Sequence, residues 1–142
     1  EGIVTMPKPA KIIIGLLIAY VGLVIAFESM IGIIQPEAGT VLTITTTGDD
    51  GVANDRVLAR IEDSNQIFVS ANHWPRAWYK EAIANPNVGV SFDDTKGDYV
   101  AVPIEGAEHD RLDAAHAHPF AFRFITGFPP RLFLRLDPKP AS

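Results

Sequence analysis

The hydrophobic pattern of this chain changes character once, and abruptly. From Ile12 to Ile34 the run IIIGLLIAYVGLVIAFESMIGII is apolar almost throughout, and Glu28 is its single charge. As a helix rising about 1.5 Å per residue it reaches roughly 34 Å, enough to cross a hydrocarbon core of about 30 Å. The pattern predicts one transmembrane helix. A secretory signal fits less well, because the run exceeds the usual apolar region of a leader and no small-x-small cleavage site follows it.

Beyond Gln35-Pro36 the periodicity switches to the alternation of strands. Thr40 to Thr47 (TVLTITTT) is β-branched and ends at Gly48-Asp49-Asp50-Gly51, a strong turn signal. Asp55 to Ile61 and Gln66 to Ala71 read as two further strands joined by Glu62-Asp63-Ser64-Asn65. Arg76 to Ala84 reads as a helix opened by Pro75 and stopped by Asn85-Pro86. Asn87 to Asp93 and Asp98 to Glu105 alternate again, Glu108 to His116 suits a short helix, and Arg131 to Leu136 is a last strand. Six short strands and one well-marked helix predict a mainly β fold, a small barrel or roll behind a single membrane helix. The domain plan is a flank over 1–11, the membrane helix over 12–34, a linker over 35–39, the barrel over 40–138 and a tail over 139–142.

Charge and composition narrow the partners. The formal charge of -5 and the absence of a basic stripe argue against nucleic acid. No cysteine is present, so disulfides, thiol nucleophiles and cysteine metal sites are excluded. Lys8 and Lys11 precede the apolar run and no Lys or Arg follows it until Arg56. The positive-inside bias then puts the N-terminus in the cytoplasm and the barrel on the far side of the inner membrane. Glu28 within the span calls for a lipid headgroup or another membrane subunit as company, and Gly15 and Gly22 offer points of close helix approach.

The block IFVSANHWPRAWYKEAIANPNVGVSFD resembles the flavin-reductase-like split barrels, most closely the deazaflavin-dependent nitroreductase branch. Trp78, Tyr79, Asn85, Pro86 and Val88 carry the match. The resemblance implies a six-stranded split barrel, often dimeric, that binds FMN or a deazaflavin with its phosphate against basic residues and loop amides. It also implies phosphate contacts at Arg56, Arg60 and Arg76, and a ring pocket at Asn72, His73 and Trp74. Where those relatives carry a basic Arg/Lys-Ser-Gly turn, this chain has Gly48-Asp49-Asp50-Gly51, whose carboxylates repel a phosphate. The alternative reading of the arginines is pairing with Asp55, Glu62 or Glu81.

The remaining chemistry is sparse. His109, His116 and His118 lack a third ligand at a metal-binding spacing, and no nucleophile elbow, phosphate loop or dinucleotide fingerprint is present, so neither a metal nor a catalytic side chain is expected. Pro119 to Phe133 gathers five of the eight phenylalanines beside Arg123 and Arg131, a composition that serves either a core or a protein contact. Two functions compete. One is an accessory subunit of a larger membrane complex that uses the barrel for docking, through Glu28, the glycines, Arg123 and Arg131. The other is a membrane-tethered flavin- or deazaflavin-dependent oxidoreductase with a quinone as acceptor, in which the cofactor performs the redox chemistry. The acidic turn, the outward barrel and the intramembrane carboxylate weigh toward the accessory role.

Overall fold

A computed structural model describes residues 5–33, 40–72, 76–128 and 130–140. The chain divides into two units, Glu1–Ile34 with His118–Phe128, and Gln35–Ala117 with Pro129–Ser142. In the second unit the strands are β1 (Val41–Thr47), β2 (Ala53–Ala59), β3 (Ile61–Asp63), β4 (Gln66–Asn72), β5 (Asn87–Phe92), β6 (Thr95–Pro103) and β7 (Arg131–Pro138). They form one antiparallel sheet in the order β2-β1-β5-β6-β7-β4-β3. The two outermost strands, β2 and β3, are consecutive in the chain and separated only by Arg60. A flat sheet cannot satisfy that connection, so the sheet curls into a split half-barrel.

Arg60 also explains why seven strands stand where alternation indicated six. The stretch from Asp55 to Ile61 is divided there: the Arg60 amide donates to the Thr40 carbonyl at 3.0 Å, in register with the β1–β2 ladder, and from Ile61 the chain pairs with β4 instead. Elsewhere the alternation holds. In β1, Leu42, Ile44 and Thr46 point inward and are buried. They meet Val88, Val90, Tyr99, Ala101, Val69, Leu134 and Leu136 in the main core.

Helix α2 (Ala77–Ala84) plugs that core with Trp78 and Ala82, one turn apart on the same face. It ends where Pro86 disfavours a helical Asn85, whose backbone is extended. The other face of β4 and β7 carries Phe68 and Phe133, covered with Ile104 by Leu112 of α3 (Gly106–Ala115). Arg111 of α3 donates to Asp63 at 2.8 Å.

The first unit contains α1 (Lys8–Ile33) and α4 (Phe120–Ile125). Helix α1 starts a turn before the apolar run, with Pro9 tolerated in its first turn. By length and composition it is able to cross a membrane. The aromatic segment is thus divided, with Phe133 in the barrel core and Phe120, Phe124 and Phe128 exposed.

Two measurements test this packing. Leu134 has no exposed surface and sits on β7, an interior strand between β6 and β4, so Leu134→Ala is expected to cost about 2–5 kcal/mol in denaturant unfolding. His109 donates from Nε2 to the Arg131 carbonyl at 2.7 Å, and its ring packs edge-on against Phe133. The bond to that carbonyl, and after it the nearby Asp110 and Asp113, hold its pKa above the ordinary 6.5. A raised folded-state pKa stabilises fully below about pH 6.5 and the stabilisation fades as pH rises through the folded value. Thermal unfolding from pH 5 to 9, on the order of the range where His titrates, is expected to show this loss in the parent chain and not in His109→Phe.

Candidate functional site

The best-supported cluster of candidate residues is organised by Glu81. From α2 its carboxylate accepts from the buried Thr46 hydroxyl at 2.5 Å and from the Asn54 amide at 3.1 Å. This pins α2 to the β1–β2 hairpin. Directly cross-strand neighbours share a face. Asn54, Arg56 and Leu58 lie opposite Thr46, Ile44 and Leu42, so Arg56 is on the inward side of the half-barrel and half-buried. Arg76 is the residue before α2 and is also half-buried. Both arginines have interaction partners within the chain.

Arg60 is occupied differently. Its side chain is 11% exposed, with Nη1 bonded to Asp93 at 3.0 Å and Nε 3.0 Å from Glu62 without hydrogen-bond alignment. The guanidinium stacks over Phe92 at 4.5 Å. Glu62 is the partner that the pairing reading named. Asp93 is an addition, brought there by the β5–β6 turn, and nothing in the local sequence pattern signals it. Asn72 ends β4, paired with Arg131 of β7. His73 and Trp74 lie outside the described residues.

The acidic turn is internally satisfied. Asp50 accepts from the Val52 amide at 3.0 Å, Gly51 takes the left-handed conformation at φ 77°, and its amide donates to the Gly48 carbonyl at 2.9 Å. Asp55 takes the Thr45 hydroxyl at 2.6 Å. Asp50 and Asp55 therefore serve to shape this hairpin, while Arg56 lies on β2 and Arg76 just before α2. A depression of about 450 Å³ elsewhere is lined by Glu62, Asp63, Ser64, Asn65, Gln66 and Ile67, and its charges are carboxylates, unsuited to phosphate. There the Ser64 hydroxyl and then Arg111 hold the Asp63 carboxyl below its usual range.

The residues expected at partner contacts separate. Glu28 is buried and has a partner within the chain. Gly15 and Gly22 face open space, with nothing within 4 Å of where a Cβ would sit. Arg131 is buried, gripping the Asp113 carboxylate at 2.7 and 2.8 Å and its carbonyl at 3.0 Å. Arg123 is exposed, with its guanidinium 5.6 Å from the centre of the Phe128 ring. Among the described residues no three His, Asp or Glu side chains gather into a metal-binding group.

A split barrel with this helix and Asn-Pro turn has known relatives. The chain belongs to the F420H(2)-dependent quinone reductase family, whose sequence profile matches residues 23–120. Among solved structures, one described as a domain-swapped dimer superposes with a TM-score of 0.54 at 26% identity, covering 69% of this chain and 81% of its own. The F420-H2-dependent reductase FDR-A matches at TM-score 0.52 and 24% identity, covering 69% and 99%. HutZ, a haem storage protein from Vibrio cholerae, matches at 0.55 and 20%, covering 72% and 83%, and shares the fold alone. A comparison with curated proteins finds no match.

If Glu81 holds the hairpin and α2 together, Glu81→Ala leaves the buried Thr46 hydroxyl without its acceptor. The expected loss is about 1–3 kcal/mol of stability. Lys80→Ala, at its exposed neighbour, is expected to stay within about 0.5 kcal/mol. Equal effects of the two in denaturant unfolding would remove Glu81 from this role.

Proposed function

We propose that this chain is a membrane-tethered oxidoreductase that uses a deazaflavin or flavin and passes reducing equivalents to a lipid-soluble acceptor of the quinone class. The observation that carries the reading is the family match over residues 23–120, which takes in β1 through α3 and with them Arg56, Arg76 and Glu81. The bound cofactor would supply hydride transfer. In this reading Arg56 and Arg76 hold its phosphate by charge-assisted hydrogen bonds, and Asn72, His73 and Trp74 border its ring. Arg60 closes the barrel instead of binding the cofactor, since Glu62 and Asp93 engage it.

The length and apolarity of α1 support the tether, with the barrel on the side of its C-terminal end. Lys8 and Lys11 favour a cytoplasmic N-terminus. A homodimer is supported by the similar structure solved as a domain-swapped dimer. The Gly48–Gly51 turn favours a second reading, a docking subunit whose cofactor site has lapsed, because it places carboxylates where a basic loop is expected.

The deciding experiment is a titration of the detergent-extracted full chain with FMN and with a deazaflavin, followed by fluorescence. Saturable binding of either is expected. A charge-assisted hydrogen bond is worth about 1.5–3 kcal/mol and tenfold in affinity is about 1.4 kcal/mol, so Arg56→Ala and Arg76→Ala should each weaken it roughly tenfold or more. An affinity unchanged by either substitution removes that arginine from the site. No binding of either cofactor, with other membrane subunits co-purifying in fixed ratio, would overturn the reductase reading for the docking one.

A further inference from the structure

We infer that the segment from Pro119 to Phe128 is a lipid-inserted hairpin, which packs on the membrane helix α1 and presents three phenylalanine rings to acyl chains. This rests on the reading of α1 as a membrane span. The contacts lie deep along α1. The Tyr20 hydroxyl donates to the Phe124 carbonyl at 2.7 Å, and the two rings are 5.0 Å apart. Phe27 meets Phe122 edge-on at 6.1 Å. Val24 lies against Gly127, where an added Cβ would stand 3.2 Å from the valine Cγ1. At about 1.5 Å per residue, Phe27 is roughly 9 Å and Tyr20 roughly 20 Å in from the helix end at Ile33. Both depths fall within the hydrocarbon of a bilayer whose core is about 30 Å thick. Whatever covers the outer face of α4 is then lipid.

Three further observations agree with that occupant. The outer face is apolar and continuous, because the Phe120, Phe124 and Phe128 rings stand 5.6 to 6.3 Å from one another. They remain 71%, 44% and 43% exposed. Backbone groups in lipid need internal partners, and the carbonyls that close this hairpin have them. The Phe122 carbonyl accepts from the Thr126 amide and hydroxyl, the Arg123 carbonyl from the Thr126 hydroxyl and the Phe128 amide, and the Phe124 carbonyl from the Gly127 amide and Tyr20. Finally, from Lys11 to Met30 α1 is exposed except along a narrow seam at Tyr20, Val24, Phe27 and Glu28, which share one helical face, and three of those four touch the hairpin. Arg123 has the long apolar stem that lets a guanidinium reach headgroups from below.

The chain has no cysteine, so single-cysteine variants of the full-length protein can be labelled with an environment-sensitive fluorophore in phosphatidylcholine–phosphatidylglycerol vesicles. Labels at Phe120→Cys and Phe128→Cys report the hairpin, Leu17→Cys reports α1, and Asp94→Cys, in the exposed β5–β6 turn, reports water. The hairpin labels are expected to emit to the blue of the Asp94 label. They should be quenched by doxyl-labelled lipid as the Leu17 label is, and escape aqueous iodide. Hairpin labels quenched by iodide while the Leu17 label stays in lipid would overturn the inference and leave the anchor standing. An iodide-accessible label at Leu17 would overturn both.

Discussion

The barrel closes at one residue. Because β2 and β3 occupy the two ends of the sheet order yet are joined only through Arg60, the curl of the whole sheet is fixed by where Arg60 sits. Its guanidinium holds that position from three sides, with Glu62 on the following strand, Asp93 in the β5–β6 turn and the Phe92 ring beneath it. Asp93 adopts a positive φ of 48°, a conformation that Asn and Asp tolerate better than most residues. A cation at a sheet junction normally gains little from exposed carboxylates. Here it is mostly shielded by the ring and the chain, so the pairing acts as a register pin more than as a source of stability.

The same economy of charge runs through the second unit. Glu81 binds a hydroxyl and an amide, Asp50 caps its own turn, Arg111 joins α3 to Asp63 of β3, and Arg135 of β7 reaches Asp137 and Glu108. The net charge of -5 is therefore no measure of how the barrel's cations are used. What separates Arg56 and Arg76 from the rest is position. Both lie on the hairpin or helix that Glu81 ties together, and both are half-buried.

Strand alternation made most of the barrel readable in the sequence, since Leu42, Ile44 and Thr46, or Leu134 and Leu136, follow the period of a pleated strand with one face buried. The Asn85-Pro86 stop was equally plain, because the pre-proline restriction is local. Less legible was anything set by contacts distant in the chain. The break at Arg60 depends on closure between sheet ends, and Asp93, which faces Arg60, comes from a turn 33 positions further along the chain. The pairing of Arg131 with Asp113, eighteen positions earlier, is likewise beyond any local pattern. Within the chain Gly15 and Gly22 face open space, while Gly127, outside the helix, is where Val24 of α1 packs closely.

The contacts of Arg131 with α3 explain how one chain supports two units. The excursion from α3 to β7 leaves and re-enters the barrel at points that are clasped to each other. Before it, His109 and Asp113 stand on α3; after it, Arg131 opens β7, offering its carbonyl to the histidine and its guanidinium to the aspartate. Because the clasp already fixes both ends, the residues between them add little to the closure cost of the loop, which grows only slowly with length. Strand β7 can then pair with β6 and β4 without regard to what the excursion does. The intervening segment is then free to carry phenylalanines that the barrel core does not use, two of which meet Tyr20 and Phe27 of α1.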